Sequence, residues 1–133
     1  MRRLLDTSFL VDHLHRREEA KRVILDMEER KERPATTEVN AFELFVGTYE
    51  EGRVNRERFA HVQQVLEGLD VLLLDRAGAV WAAELLSKLR SQGRTPGVLD
   101  ILVAGIAVAS GYDTIVTNDE GFRRIPGIRV QSY

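Results

Sequence analysis

"VLDILVAGIAVASGYDTIVTND", residues 98–119, holds a helix and a strand in succession, both apolar. Val98 to Ser110 is apolar nearly all round, so the spacing predicts a helix inside the fold and not on its surface. Gly111 punctuates the chain, and the β-branched Thr114, Ile115 and Val116 predict a strand over 113–117. Two features sit oddly in so apolar a unit. Asp100 is the only ionisable group between Val98 and Ser110. The strand then stops in Thr117, Asn118 and Asp119. Each feature has an ordinary explanation. With a helix start near Pro96, Asp100 would cap the first turn, and an Asn-Asp pair accepts turn geometry and starts a following helix well.

Working outward, Leu4 and Leu5 form a short apolar strand that runs into Asp6. Arg17 to Arg33 is strongly helical and highly charged, with Val23, Ile24 and Met27 as a narrow apolar stripe, and Pro34 ends it. "ATT" (35–37) is a very short strand whose Thr36 or Thr37 caps the next helix. In that helix Val39, Phe42, Val46 and Tyr49 recur at helical spacing as a buried face, closed by Gly52. Phe59, Val62, Leu66 and Leu69 repeat the spacing, which predicts a helical hairpin joined by a short turn. "DVLLLD" (70–75) reads as a buried strand. Arg76 to Gln92 reads as a helix with Val80, Trp81, Leu85 and Leu89 inward, and "GRTPG" as a loop. A helical turn at "EGFRRI" and a last strand "IRVQ" complete the chain. Strands alternating with helices mean α/β with a mostly parallel sheet. The 133 residues make a single domain, 1–133.

Composition narrows the function. With no cysteine, disulfides and thiolate metal sites are excluded. "MRRLLDTSFLVDHLHRR" starts basic, but Asp6 and Asp12 interrupt it, so it does not read as a signal peptide. Val98 to Tyr112 is too short to span a bilayer and contains Asp100. A cytoplasmic protein away from membranes is the expectation. The net charge of −2 provides no overall basic footprint. Yet 16 of the 19 basic residues are arginine, whose planar fork suits phosphate; the same bias also fits a solvated surface. His13 and His15, two apart, face different sides of a helix and cannot chelate together. His61 is alone, Trp81, Phe59 and Phe45 fall on apolar stripes as core, and no phosphate-binding glycine loop occurs. Ser8 and Ser110 lack a histidine partner for nucleophilic catalysis.

The acids remain. Asp6 follows the first strand and Asp119 the strand 113–117, at the carboxyl ends where ligands bind in open parallel sheets. Asp100 and Glu43 lie near helix starts facing the same rim. Glu43 stands at the edge of its apolar stripe, about 40° from Val39; a surface-edge glutamate would look the same. Four converging acids repel one another unless a divalent cation sits among them. An all-oxygen donor set points to Mg²⁺ or Mn²⁺.

The stretches "LDTSFLVD", "TTEVNAFELFVG", "LDILVAGIAVASG" and "IVTNDEGFRRIPGIRV", in that order, make the whole chain resemble the PIN domain, most closely the VapC-type toxin ribonucleases. The resemblance implies a three-layer α/β fold whose mostly parallel central sheet is flanked by helices. It carries an acidic metal site onto Asp6, Glu43, Asp100 and Asp119, with Thr7, Ser8, Thr117 and Asn118 as hydroxyl and amide neighbours. Related proteins often have a basic residue shortly before the helix that bears Asp100; the candidate here is Arg94, six positions upstream of Asp100. The implied function is a Mg²⁺- or Mn²⁺-dependent endoribonuclease, the toxin of a type II pair, homodimeric and inhibited by a small antitoxin protein. Setting the four acids aside turns the formal charge from −2 to +2, which suits an RNA substrate. Two alternatives stay open. A non-catalytic binding module would use the acids for a structural ion or nothing. A phosphoacceptor receiver would need a lysine after a late strand, where none of Lys21, Lys31 or Lys88 falls.

Overall fold

The computed structural model describes residues 2–94 and 97–133. Strand β1 (Arg3–Leu5) lies at the centre of a five-stranded sheet. It leads through helices α1 (Thr7–Leu14) and α2 (Glu18–Glu29) to β2 (Ala35–Thr37). Helix α3 (Glu38–Val46), a small hairpin β3 (Tyr49–Glu50) and β4 (Arg53–Val54), and helix α4 (Arg56–Glu67) follow. Then come β5 (Asp70–Leu72), α5 (Arg76–Ser91), α6 (Val98–Ala109), β6 (Thr114–Val116), a 3-10 turn over Glu120–Arg124, and β7 (Arg129–Gln131).

The sheet order is β5-β2-β1-β6-β7, and every pairing in it is parallel. The register explains the two-sided core. Leu4 stands beside Ile115, and both join a cluster with Leu85, Leu89, Ile101 and Ala104 of α5 and α6. Leu5 stands beside Val116, and both point the other way, into Phe9, Leu10, Val23, Met27, Leu44 and Val62 from α1 to α4. Successive strand residues face opposite sides, so a strand apolar on both faces sorts itself between two helical layers. The result is three layers. Helices α5 and α6 approach closely because Gly105 meets Gly78: a Cβ on Gly105 would lie 2.6 Å from the Gly78 carbonyl oxygen.

Five expectations need correction. The stripe Val39, Phe42, Val46 and Tyr49 is not the buried face of α3: Phe42 is 58% and Val46 54% exposed. Asn40, Ala41 and Leu44 are buried instead. Phe42 lies about 160° from Asn40 around the helix, so turning Asn40 inward turns Phe42 outward. Gly52 does not close that helix; Glu51 (φ 49°) and Gly52 (φ 78°) form the turn of the β3–β4 hairpin, where positive φ at both central positions is favoured. This hairpin, and not a short turn, joins α3 to α4. Strand β5 ends at Leu72, and Leu73 and Leu74 are exposed because β5 is a sheet edge with no strand beyond it. Val80 of α5 is likewise exposed; Ala82, Leu85 and Leu89 carry that helix's contact with the core. Helix α1 has no counterpart among the elements expected from the sequence. Thr95 and Pro96, central to the "GRTPG" loop and the proposed helix start, lie outside the described residues.

Candidate active site

The sheet reverses its order at β1. The chain builds outward on one side through β2 and β5, then returns to place β6 and β7 on the other. The carboxyl ends of β1 and β6 therefore flank the switch point, the usual location of ligand crevices in open parallel sheets. Asp6 is the first residue after β1, and its N–H donates to the Val116 carbonyl at 3.1 Å, extending the ladder.

Asp6 holds the N-cap position of α1 but makes no capping bond with its side chain. Its carboxylate is held elsewhere: Thr117 Oγ1 donates to Oδ2 at 2.8 Å and Asn40 Nδ2 to Oδ1 at 3.0 Å. Ser8 Oγ adds a long contact to Oδ2 at 3.4 Å and lies 3.0 Å from Thr117 Oγ1. Thr7 Oγ1 donates to Glu43 Oε1 at 2.8 Å and accepts from Asn40 Nδ2 at 2.9 Å. One amide thus ties Asp6 to the threonine that fixes Glu43. Asn40 is itself fixed by the cap of α3: its N–H donates to Thr37 Oγ1 at 3.1 Å, and its Oδ1 accepts from the Thr37 hydroxyl at 2.7 Å. The expectation of a threonine cap at this helix is met by Thr37.

Asp119 stands at the start of the 3-10 turn. Its N–H donates to Thr117 Oγ1 at 3.0 Å, and its Oδ1 accepts from Gly121 N–H at 2.9 Å. A Cβ on Gly121 would be a tight 3.1 Å from Asp119 Oδ1 and at ordinary contact distance, 3.7 Å, from Asp100 Oδ2; the position lies between the two carboxylates. Asp100 lies in the first turn of α6, but Gly97 is the N-cap residue and no side-chain cap is made. Asp100 is therefore not a side-chain cap, although its charge stands in the first turn, where the helix dipole favours it. Half-buried, it finds no hydrogen-bond donor among the described residues.

The electrostatics follow from this crowding. Burial, then the charges of Asp119, Asp6 and Glu43, push Asp100 up to about 6. Burial also raises Asp6, opposed by the Thr117 hydroxyl and the Thr7 backbone, with Glu43 and Asp119 adding to the rise. Asp100 thus feels three other acids, which stand after β1, on α3 and after β6. Among the described residues no three His, Cys, Asp or Glu side chains form a ready-made metal-holding group. The donor set nevertheless fits a hard divalent cation: it is all oxygen, mutually repelling, and in Asp100 contains a carboxylate without a donor among the described residues. Mg²⁺ keeps several waters and needs few direct carboxylates.

Of the neighbours expected around the acids, Thr7, Ser8 and Thr117 are in the network. Asn118 is not; it donates to the Tyr133 carbonyl at 3.2 Å and accepts from the Tyr133 N–H at 3.0 Å, pinning the end of the chain to the β6 tip. Arg94 lines a cavity beside Asp100. Asn40 was missed. The only available signal was the pair Thr37 and Asn40 at capping-box spacing.

A parallel-centred three-layer α/β fold with acids near the switch point of its sheet is the class of protein the structure defines. The PIN domain family model matches residues 3–128, and the chain belongs to that family. It is 28% identical over 95 residues, 71% of each chain, to the tRNA(fMet)-specific endonuclease VapC of Shigella flexneri. Among solved structures, DNA-bound VapBC from Salmonella typhimurium is similar at a TM-score of 0.85 and 24% identity, over 99% of this chain and 98% of that one. VapBC2 from Rickettsia felis, bound to a promoter DNA fragment, has a TM-score of 0.84 at 21% identity, over 100% and 99%. No helix among the described residues is long and apolar enough to cross a membrane.

Proposed function

We propose that the protein is a Mg²⁺- or Mn²⁺-dependent endoribonuclease, the toxin of a toxin–antitoxin pair, working in the cytoplasm. What supports this reading is membership of the PIN domain family, together with the charges of Asp6, Glu43 and Asp119 acting on Asp100 near the carboxyl ends of β1 and β6. The endonuclease relatives support it. Asp6, Asp100 and Asp119 would hold the ion directly or through water, and Glu43 would either join them or orient the attacking water. A divalent ion in this cleft would supply a water of lowered pKa and positive charge for in-line displacement at phosphorus.

The protein's own part is positioning. Thr117 and Asn40 each hold one oxygen of Asp6, leaving its remaining lone pairs for the cleft. Thr7 fixes one oxygen of Glu43 and leaves the other free to accept a proton from a bound water. Gly121 N–H turns Asp119 toward Asp100. The receiver alternative finds no support: Lys21 and Lys88 pair on their own helices with Glu18 and Glu84. The family resemblance implies a small antitoxin protein as the partner and a homodimer; toxin–antitoxin complexes among the structural relatives support the first of these.

The test is RNA cleavage by the purified protein with and without chelator. Chelator should abolish cleavage, and added Mg²⁺ or Mn²⁺ should restore it. Full cleavage in excess chelator would overturn the metal mechanism, and no cleavage of any RNA with metal present would return the fold to a binding role.

A further inference from the structure

Asp100, one of the four acids, lies in the wall of a cavity of about 420 Å³ that is also lined by Gly121, Arg94 and Arg124. The two arginines come from different parts of the chain. Arg124 ends the 3-10 turn that starts directly after Asp119. Arg94 follows α5, its N–H held by the Leu89 carbonyl at 2.8 Å. Among the described residues neither guanidinium has a carboxylate partner, although Arg123 beside Arg124 in sequence pairs with Glu120 at 3.0 Å. Two unpaired forks thus share one cavity with a site acid, and neither neutralises it. Their charge is available to a ligand.

We propose that Arg124, together with Arg94, forms a phosphate subsite for the RNA strand, holding a phosphate neighbouring the one at the acids; this rests on the nuclease reading above. A guanidinium grips a phosphate by two parallel N–H donors. The cavity is within the size range of small-ligand pockets, roughly 300–1,000 Å³, and so admits a nucleotide. A ligand that reaches from the acids to the arginines has to present negative charge at both ends. A nucleic-acid backbone does so at every residue, whereas a protein segment would need two acids placed for the purpose. The arginines would therefore set how the strand lies across the cleft, and their removal should weaken binding more than chemistry.

Arg124→Gln, Arg94→Gln and the double variant would be compared with the wild type on a short single-stranded RNA in Mg²⁺. Each single change should raise KM about tenfold, as expected for removing one charged hydrogen-bonding pair, and leave kcat within about threefold. The salt dependence of binding should flatten by about 0.7 in log–log slope for each phosphate that is no longer neutralised. Arg124→Lys should recover part of the affinity. Mn²⁺ affinity and melting temperature should not move, because both side chains are exposed and neither pairs with an acid. An unchanged KM and salt slope in the double variant would overturn the subsite. So would variants that bind RNA normally but no longer bind a protein partner, because the arginines would then belong to that interface. Wild-type protein that binds RNA through these arginines without cleaving it would support the subsite and refute the nuclease. Wild-type protein that neither binds nor cleaves would overturn both.

Discussion

The Asn40 side-chain amide donates to Asp6 Oδ1 at 3.0 Å and to Thr7 Oγ1 at 2.9 Å, joining the first two positions after β1 to the first turn of α3. It is fully buried and all its polar atoms are used. Asn40→Ala would leave Asp6 Oδ1 and the Thr37 hydroxyl short of partners inside the protein. We expect a loss of about 2–3 kcal/mol in denaturant unfolding, from buried groups left unsatisfied and a weakened cap. Mn²⁺ affinity should fall with it. A variant that unfolds at wild-type denaturant concentration would show that water replaces the amide without cost.

Asp100→Asn separates the helix-cap role from the cleft role. Asparagine caps as well as aspartate, so a cap would survive the change intact. If Asp100 holds an ion, cleavage should fall by about a hundredfold or more while the metal-free protein melts at the same or a higher temperature, since one of four repelling charges has gone. RNA cleavage, metal affinity and melting temperature measured on one preparation decide it.

The raised pKa of Asp100 also sets a pH dependence. Its folded value of about 6 lies above the unfolded value near 3.8, so the folded state binds more protons between them. Stability of the metal-free protein should therefore fall as pH rises from about 4 to 7, with Asp6, shifted the same way, adding to the slope. Saturating Mg²⁺ should flatten that slope, because an ion among the acids favours their charged forms. A metal-free melting temperature that climbs from about pH 5 to pH 7 would contradict the crowding.

Gly121→Ala would put a methyl group 3.1 Å from Asp119 Oδ1 and 3.7 Å from Asp100 Oδ2. The backbone there is not left-handed, so the fold should tolerate it within about 1 kcal/mol. The Asp119 carboxylate has to give way slightly, and cation affinity should drop several-fold. Calorimetric Mn²⁺ titration beside thermal melting separates the two effects.

Arg3 is a control far from the cleft. It is 2% exposed at the start of β1, 2.6 Å from Glu32 and 2.9 Å from Asp26. Arg3→Met should cost about 2–3 kcal/mol, chiefly by leaving Glu32 unpaired in a largely buried position, and should not change kcat at temperatures where the variant stays folded.

The sequence was most informative where burial acts on both faces of an element. The apolar runs of β1, β6 and α6 can only lie inside, so an acid next to them stands out, and three of the four acids were found in this way. Helix α3 was misjudged because its periodic apolar residues suggest an orientation that the Asn40 network overrides. The β3–β4 hairpin was hidden by a glycine that serves equally as a helix stop or a turn. Asn118 and Arg124 depend on where distant segments return, the chain end in one case and the cavity wall in the other, and nothing local to them records that.

Strand β6 lies beside β1, and the Thr117 hydroxyl at its tip reaches Asp6 across 111 positions of sequence. No single segment of the chain therefore carries the acidic cleft: its two sides come together only when β6 docks on β1, so whatever loosens that one seam should dismantle the cleft before it unfolds either helical layer.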